Sequence, residues 1–326
     1  VLASVAFGSS TASAAPSSEL AASRSAAAAA GLQNAEYVAL GDSYAAGYGL
    51  SDPTGKPVPA CGQSKHDYPH QIAKALDLHL TDVSCAGADS GNVVSYPQDG
   101  AAPQVDALSA STRLVTLTIG GNDADLFATA SSCLALTATG PVFSGRDAPS
   151  CKSRLVHNGV DSLRASVNGP VRQGITSAID AVKSAAPNAD VIVIGYPAIF
   201  PSRAATPKHG CFRSALDLAS LGGDFPANSF PFTNTDTRYL AGIQRDMDSV
   251  TRTVARQAGV TYVSLLKATE KRSACSTKRA LVTGVTLTAS DNLQKINLAV
   301  GALHPNSAGA AYMARRGEKA ILAAVG

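Results

Sequence analysis

Tryptophan is absent from the 326 residues, and only 16% of them are charged. Without tryptophan the chain lacks the stacking platform that a sugar-binding site would be expected to offer. The net charge of +3 is small for this length and leaves no basic footprint for nucleic acid. A surface this weakly basic still suits a transient contact with an anionic lipid interface. No apolar run reaches the roughly 18 residues that a membrane-spanning helix needs. There is no C-x-x-C, which argues against a zinc ribbon or a thioredoxin-like redox site. Histidines and carboxylates nowhere fall at metal-ligand spacing, so neither a metal site nor a cofactor is expected. Internal repeats and charged linkers are also missing, which leaves a single main domain and a monomer as the simplest reading.

What is present is a loop-rich globular composition. Hydrophobic residues make up 45%, with 28 glycines and 17 prolines, and the length allows a sizeable core. Val1 to Gly8 is a short apolar run and Ala12-Ser13-Ala14 is an A-x-A pattern. Residues 1–14 therefore read as the remnant of an export signal, cleaved near Ala14-Ala15. Residues 15–33 read as a flexible Ala/Ser-rich lead, with an alanine-rich helix as the alternative. Residues 34–326 form the single domain. In an exported, extracellular chain the six cysteines are expected to form disulfides. Fifteen pairings are formally possible; nearest-neighbour pairing closes modest loops as Cys61–Cys85, Cys133–Cys151 and Cys211–Cys275.

Short apolar, β-rich runs that end in small residues read as buried parallel strands. They are Tyr37 to Leu40, Leu114 to Ile119 and Val191 to Ile194, with weaker examples at Leu80 to Ser84 and Val260 to Val263. Helical periodicity lies between them. Val160, Leu163, Val167, Val171, Ile175, Ile179 and Val182 share one face, as do Leu240, Ile243, Met247, Val250 and Val254. A final helix follows from Asn306 to Val325, with Asn306 or Ser307 as its N-cap. Strands alternating with helices imply a parallel sheet covered on both faces. Three Gly/Pro/Ser-rich, cysteine-bearing insertions, Asp52 to Pro69, Cys133 to Cys151 and Pro201 to Thr235, are placed to build or cover a site.

Small-residue motifs coincide with the strand ends. Gly41-Asp42-Ser43 follows the first strand, where a serine hydroxyl would stand above the C-terminal edge of the sheet. Taken alone, Ser43 could equally cap the next helix. Ser84-Cys85-Ala86-Gly87 follows the Leu80 strand, and Gly87 could present an unobstructed N–H. Gly120-Gly121-Asn122-Asp123 follows the Leu114 strand; it is good turn chemistry, and the Asn122 amide can also donate to a developing oxyanion. Leu303-His304-Pro305-Asn306 opens the last helix, and histidine is the usual base for activating a serine. The other histidines, His66, His70, His79, His157 and His209, read as surface or loop residues.

In this order the motifs resemble the SGNH hydrolase (GDSL-like lipase/esterase) superfamily, specifically its secreted three-disulfide actinobacterial lipases and esterases. The resemblance spans about residues 36 to 316. It implies an α/β fold: a three-layer α/β/α sandwich around a central parallel five-stranded sheet, flavodoxin-like. It also implies a serine esterase or lipase with Ser43 as nucleophile and His304 as base. The oxyanion hole would be formed by the Ser43 N–H, the Gly87 N–H and the Asn122 side chain. The family commonly has aspartate three residues before this histidine, whereas this chain has Gly301. By similarity to some secreted relatives, the main-chain carbonyl of Gly301 or Ala302 would orient His304 instead. Asp291 is the alternative acid, and a Ser–His dyad is the reading preferred here.

The expected substrate is a small-molecule or lipid ester. Alternatives on the same fold are a phospholipase, a sugar-ester deacetylase or a non-catalytic surface binding module. A conventional α/β-hydrolase is disfavoured, because G-x-S-x-G would require glycine where Ala45 stands. Leu126-Phe127, Leu134 to Leu136, Val142-Phe143, Phe225, Phe230 and Phe232 could line an acyl channel or simply pack the loops.

Overall fold

The computed structural model describes residues 17–143, 148–290 and 295–326. The segment read as a signal remnant (1–14) and Asp291 lie outside the described residues.

The sheet contains β1 (Glu36–Gly41), β2 (His79–Asp82), β3 (Leu114–Thr118), β4 (Asp190–Ile194) and β5 (Thr261–Val263). Its strand order is β2-β1-β3-β4-β5 and every neighbouring pair is parallel. Alternate side chains of β1 enter opposite cores: Val38 and Leu40 one, Tyr37 and Ala39 the other. A strand buried on both faces has no polar side to show, which is why β1, β3 and β4 read as largely apolar runs while the edge strands β2 and β5 read more weakly. The helices α5 (Arg172–Ala185) and α6 (Asn234–Gln257) cover the first face, with Ile175, Ile179, Leu240, Ile243 and Met247 buried against it. On the second face lie α3 (Tyr68–Leu76) and α7 (Ser307–Val325), through Ile72, Leu76, Met313 and Ile321. The result is the expected three-layer sandwich. The succession of strands runs one way from β1 to β2 and the other way from β3 onward, and at such a switch point the loops after β1 and β3 diverge to open a crevice.

Two local expectations are corrected. The supposed flexible lead is helical over Ser17–Leu32 (α1). Alanine is the strongest helix former, and Ala28 and Leu32 are buried, Leu32 within the core that α7 also joins. Val160 does not begin a long helix; it is 65% exposed in a small hairpin pairing Val156–His157 with Val160–Asp161. The helix begins at Ser162 and passes through a π turn at Val167–Val171, which contains Pro170. Proline has no N–H for the regular ladder, so the turn widens before α5 resumes it.

Cysteines are joined as Cys61–Cys85, Cys133–Cys151 and Cys211–Cys275, and none among the described residues is free. Asn306 is the N-cap of α7: its side-chain oxygen accepts from the Gly309 N–H at 3.0 Å.

Candidate active site

The first loop of the crevice is set by glycine. Gly41 has φ +142°, and a Cβ there would lie 2.3 Å from the Thr118 carbonyl oxygen. No other residue could end β1 so close to β3. Asp42 then caps the short helix α2 (Ser43–Ala46), accepting from the Tyr44 N–H at 2.9 Å. Ser43 is thus the first helical residue, and its N–H has no partner within the helix.

The second and third loops are tied to the first. The Cys85 N–H donates to the Gly41 carbonyl at 3.0 Å, and the Ala86 N–H donates to that of Cys61 at 3.0 Å. Gly87 follows with φ +85°, and no acceptor for its N–H is found among the described residues. Asn122 spends one amide hydrogen on the Ala88 carbonyl at 2.9 Å, which fixes its orientation and leaves the other hydrogen to donate.

His304 joins this group from the other end of the chain. Its Nε2 lies 2.7 Å from Ser43 Oγ, and its Nδ1 lies 2.8 Å from the Ala302 carbonyl oxygen. A carbonyl can only accept, so Nδ1 carries the proton and Nε2 is free to accept from the Ser43 hydroxyl. Among the described residues no carboxylate takes the Nδ1 position. Of the two carbonyls considered from sequence, Ala302 meets the ring; that of Gly301 accepts the His304 N–H at 3.1 Å. Gly301 itself has φ +78°, and a Cβ at Gly49 would meet its Cα at 2.4 Å. The family's aspartate would be strained at such a position.

Three rings enclose the imidazole: Tyr44, Tyr48 and Phe127, with centroids at 5.0, 5.3 and 5.2 Å. His304 is buried, and burial pulls its pKa down to about 4, against a smaller upward push from the Ala302 hydrogen bond. Tyr44 also donates its hydroxyl to the Leu303 carbonyl at 2.6 Å, steadying the histidine turn.

Sequence reasoning missed Tyr196, which follows β4 as the other motifs follow their strands. Its hydroxyl donates to Asp42 Oδ2 and accepts from the Gly121 N–H at 2.9 Å, linking the Ser43 and Asn122 loops. Burial raises the Asp42 carboxyl to about 7, while the hydrogen bonds from Tyr196 and Tyr44 pull the other way.

A narrow cleft of about 90 Å³ opens beside Ser43 and Asn122. Its walls include Leu126 and Phe127 from the start of α4 (Leu126–Ser131), and Leu240, Ile243 and Met247 from α6. The remaining apolar loop residues put forward for a channel do not line it. Phe230 and Phe232 instead pack edge-on with Phe200, which does reach the cleft.

A model of the GDSL-like lipase/acylhydrolase family matches residues 39–312. Lipase 2 of Streptomyces coelicolor is 36% identical over 242 residues, covering 74% of this chain and 72% of its own. Lipase 1 of the same organism is 32% identical over 168 residues, covering 50% of this chain and 53% of its own. Among solved structures, phospholipase A1 from Streptomyces albidoflavus aligns with TM-score 0.59 and 25% identity, over 89% of this chain and 98% of that one. An extracellular lipase from Streptomyces rimosus has the same fold, with TM-score 0.59 and 22% identity over 90% of this chain and all of its own, 100%. The chain belongs to the GDSL-like lipase/acylhydrolase family and is a carboxylic ester hydrolase of the lipase/esterase type.

Proposed function

We propose that the chain is an exported lipase whose Ser43–His304 dyad cleaves esters of extended acyl chains. The observation that carries this is the continuous relay from Ser43 Oγ to His304 Nε2, and from Nδ1 to the Ala302 carbonyl, at 2.7 and 2.8 Å. His304 takes the hydroxyl proton as Oγ bonds to the ester carbonyl carbon. The resulting oxyanion is held by the N–H groups of Ser43 and Gly87 and the free amide hydrogen of Asn122. Collapse expels the alcohol, which takes the proton from His304. Water then repeats the sequence on the acyl-enzyme and releases the acid.

The apolar cleft supports an acyl chain as the group bound beside Ser43, since its α4 and α6 walls offer hydrocarbon. Export is supported by the three disulfides, which persist in oxidising compartments, and by the A-x-A pattern near the N-terminus. The test is hydrolysis of p-nitrophenyl esters from acetate to palmitate, with phosphatidylcholine in parallel. kcat/KM is expected to rise with chain length through the medium-chain esters. A maximum at acetate would contradict the acyl-cleft reading.

A further inference from the structure

Behind the helix that carries Ser43 lies a second cluster of side chains that the hydrolysis does not use. Asp67 is the N-cap of α3, His70 stands in its first turn, and Asp82 is the last residue of β2. The Asp67 and Asp82 side chains are 0% and 3% exposed, and that of His70 is 31% exposed. His70 Nδ1 is 2.8 Å from Asp67 Oδ1 and 3.7 Å from Asp82 Oδ2. One ligand atom from each of the three residues can be chosen with all of them within 4.8 Å of one another.

Asp82 supplies the independent sign of a missing partner. Its Oδ1 accepts from the N–H and hydroxyl of Ser84, at 2.9 and 2.6 Å. Its buried Oδ2 has no amide, hydroxyl or guanidinium donor among the described residues; it meets only the Asp67 carboxyl, with which it can share a single proton, and the His70 ring at 3.7 Å. Two carboxylates side by side away from water repel unless a shared proton or a cation lies between them, and a cation can replace that proton. The donor set is two carboxylate oxygens and one imidazole nitrogen, the chemistry that suits zinc rather than calcium or magnesium. Tetrahedral zinc with bonds of about 2.0–2.2 Å separates its ligand atoms by about 3.3–3.6 Å. The two separations at His70 Nδ1, 2.8 and 3.7 Å, bracket that range.

We propose that Asp67, His70 and Asp82 form a binding site for one divalent cation of the zinc type, with water completing its shell on the partly open His70 side. The ion would take the place of the proton that Nδ1 shares with Asp67. It would tie the start of α3 to the end of β2 beneath the Ser43 loop, since a Cβ at Gly47 would touch Asp67 Cβ at 2.8 Å. Gln63, beside the Cys61–Cys85 bridge, donates to the Asp82 carbonyl at 3.2 Å and extends the same tie. The role is a staple for the fold, separate from bond cleavage.

The experiment is calorimetric titration of the chelator-stripped full chain with zinc chloride, alongside thermal unfolding. One equivalent is expected to bind saturably and to raise Tm by several degrees, because a ligand of the folded state stabilises it. His70→Ala and Asp82→Asn should each weaken the affinity by about tenfold or more. His66→Ala, which removes the exposed His66–Asp52 pair, should leave it unchanged. Absence of saturable binding in the wild type, or wild-type affinity in a folded His70→Ala or Asp82→Asn protein, overturns the site. Tighter binding of calcium than of zinc overturns the choice of metal. If Asp82→Asn does not fold, the partly exposed His70→Ala decides alone.

Discussion

His304 Nδ1 lies 2.8 Å from the carbonyl oxygen of Ala302, two positions back along its own turn. A carboxylate in that place would orient the ring and also stabilise the imidazolium that forms on proton transfer. A carbonyl fixes the tautomer and contributes only a dipole. Asp291 is therefore dispensable in this account: Asp291→Asn should keep kcat within about threefold, whereas removing either dyad member should lower it by several orders of magnitude. Loss of activity in a folded Asp291→Asn protein would restore the acid.

The pH profile follows from the burial of His304. As the proposed base, His304 would work only when neutral, and its pKa is drawn from 6.5 down to about 4. With that value about nine-tenths of the enzyme holds a neutral His304 at pH 5, against about 3% for an ordinary histidine. The acid limb of kcat/KM should therefore fall near pH 4, measured with a substrate that does not itself titrate. The same lowered pKa contributes stability that is full above pH 6.5 and lost as pH falls towards 4, because the unfolded chain takes up the proton first. An acid limb at 6 to 7 would mean that His304 is solvated in the working enzyme.

Asn122 is held by the Ala88 carbonyl with one hydrogen to spare. Asn122→Ala should reduce kcat by about 10²–10³, the usual cost of losing one oxyanion donor. Turnover unchanged in the folded variant would remove Asn122 from the site.

Tyr196 is a positioning residue. Tyr196→Phe deletes the hydroxyl that bridges Asp42 and the Gly121 N–H, and leaves a buried acceptor and a donor unmatched. A stability loss of about 1–3 kcal/mol is expected from unfolding curves. In the same protein kcat should drop by about tenfold with KM little changed, since the Ser43 and Asn122 loops would lose their register. A stability loss with intact kcat would make the residue purely structural.

Ile243 stands in the α6 wall of the cleft. Ile243→Trp should fill part of it and cut kcat/KM for a long-chain ester by about tenfold or more, while an acetate ester is barely affected. Each buried methylene is worth about 0.8 kcal/mol, roughly fourfold, so excluding even a few is enough. A parallel fall for both esters would place the acyl chain elsewhere.

Ser43, Gly87, Asn122 and His304 could be singled out as candidates because each follows a strand end or opens a helix, where a parallel sheet collects its loops. The central strands β1, β3 and β4 were legible because strands buried on both faces are largely apolar, whereas the partly exposed edge strands β2 and β5 gave weaker patterns. Ala302 was one of two carbonyl candidates that sequence could not separate, since every residue carries a carbonyl and only the turn geometry selects among them. Leu240, Ile243 and Met247 read as an ordinary core face, and they belong to both the core and the cleft. In the cluster of Asp67, His70 and Asp82 the first two stand three residues apart on one helical turn, a pair too common to signal a site, and Asp82 joins them only because β2 ends beside the start of α3.

The most direct measurement is the rate of covalent labelling by a fluorophosphonate, with the modified peptide identified by mass spectrometry. Stoichiometric labelling on Ser43 is expected in the wild type, none in Ser43→Ala, and labelling slowed by at least about a thousandfold in His304→Ala. Labelling on another serine, or at the wild-type rate in a folded His304→Ala protein, would contradict the dyad.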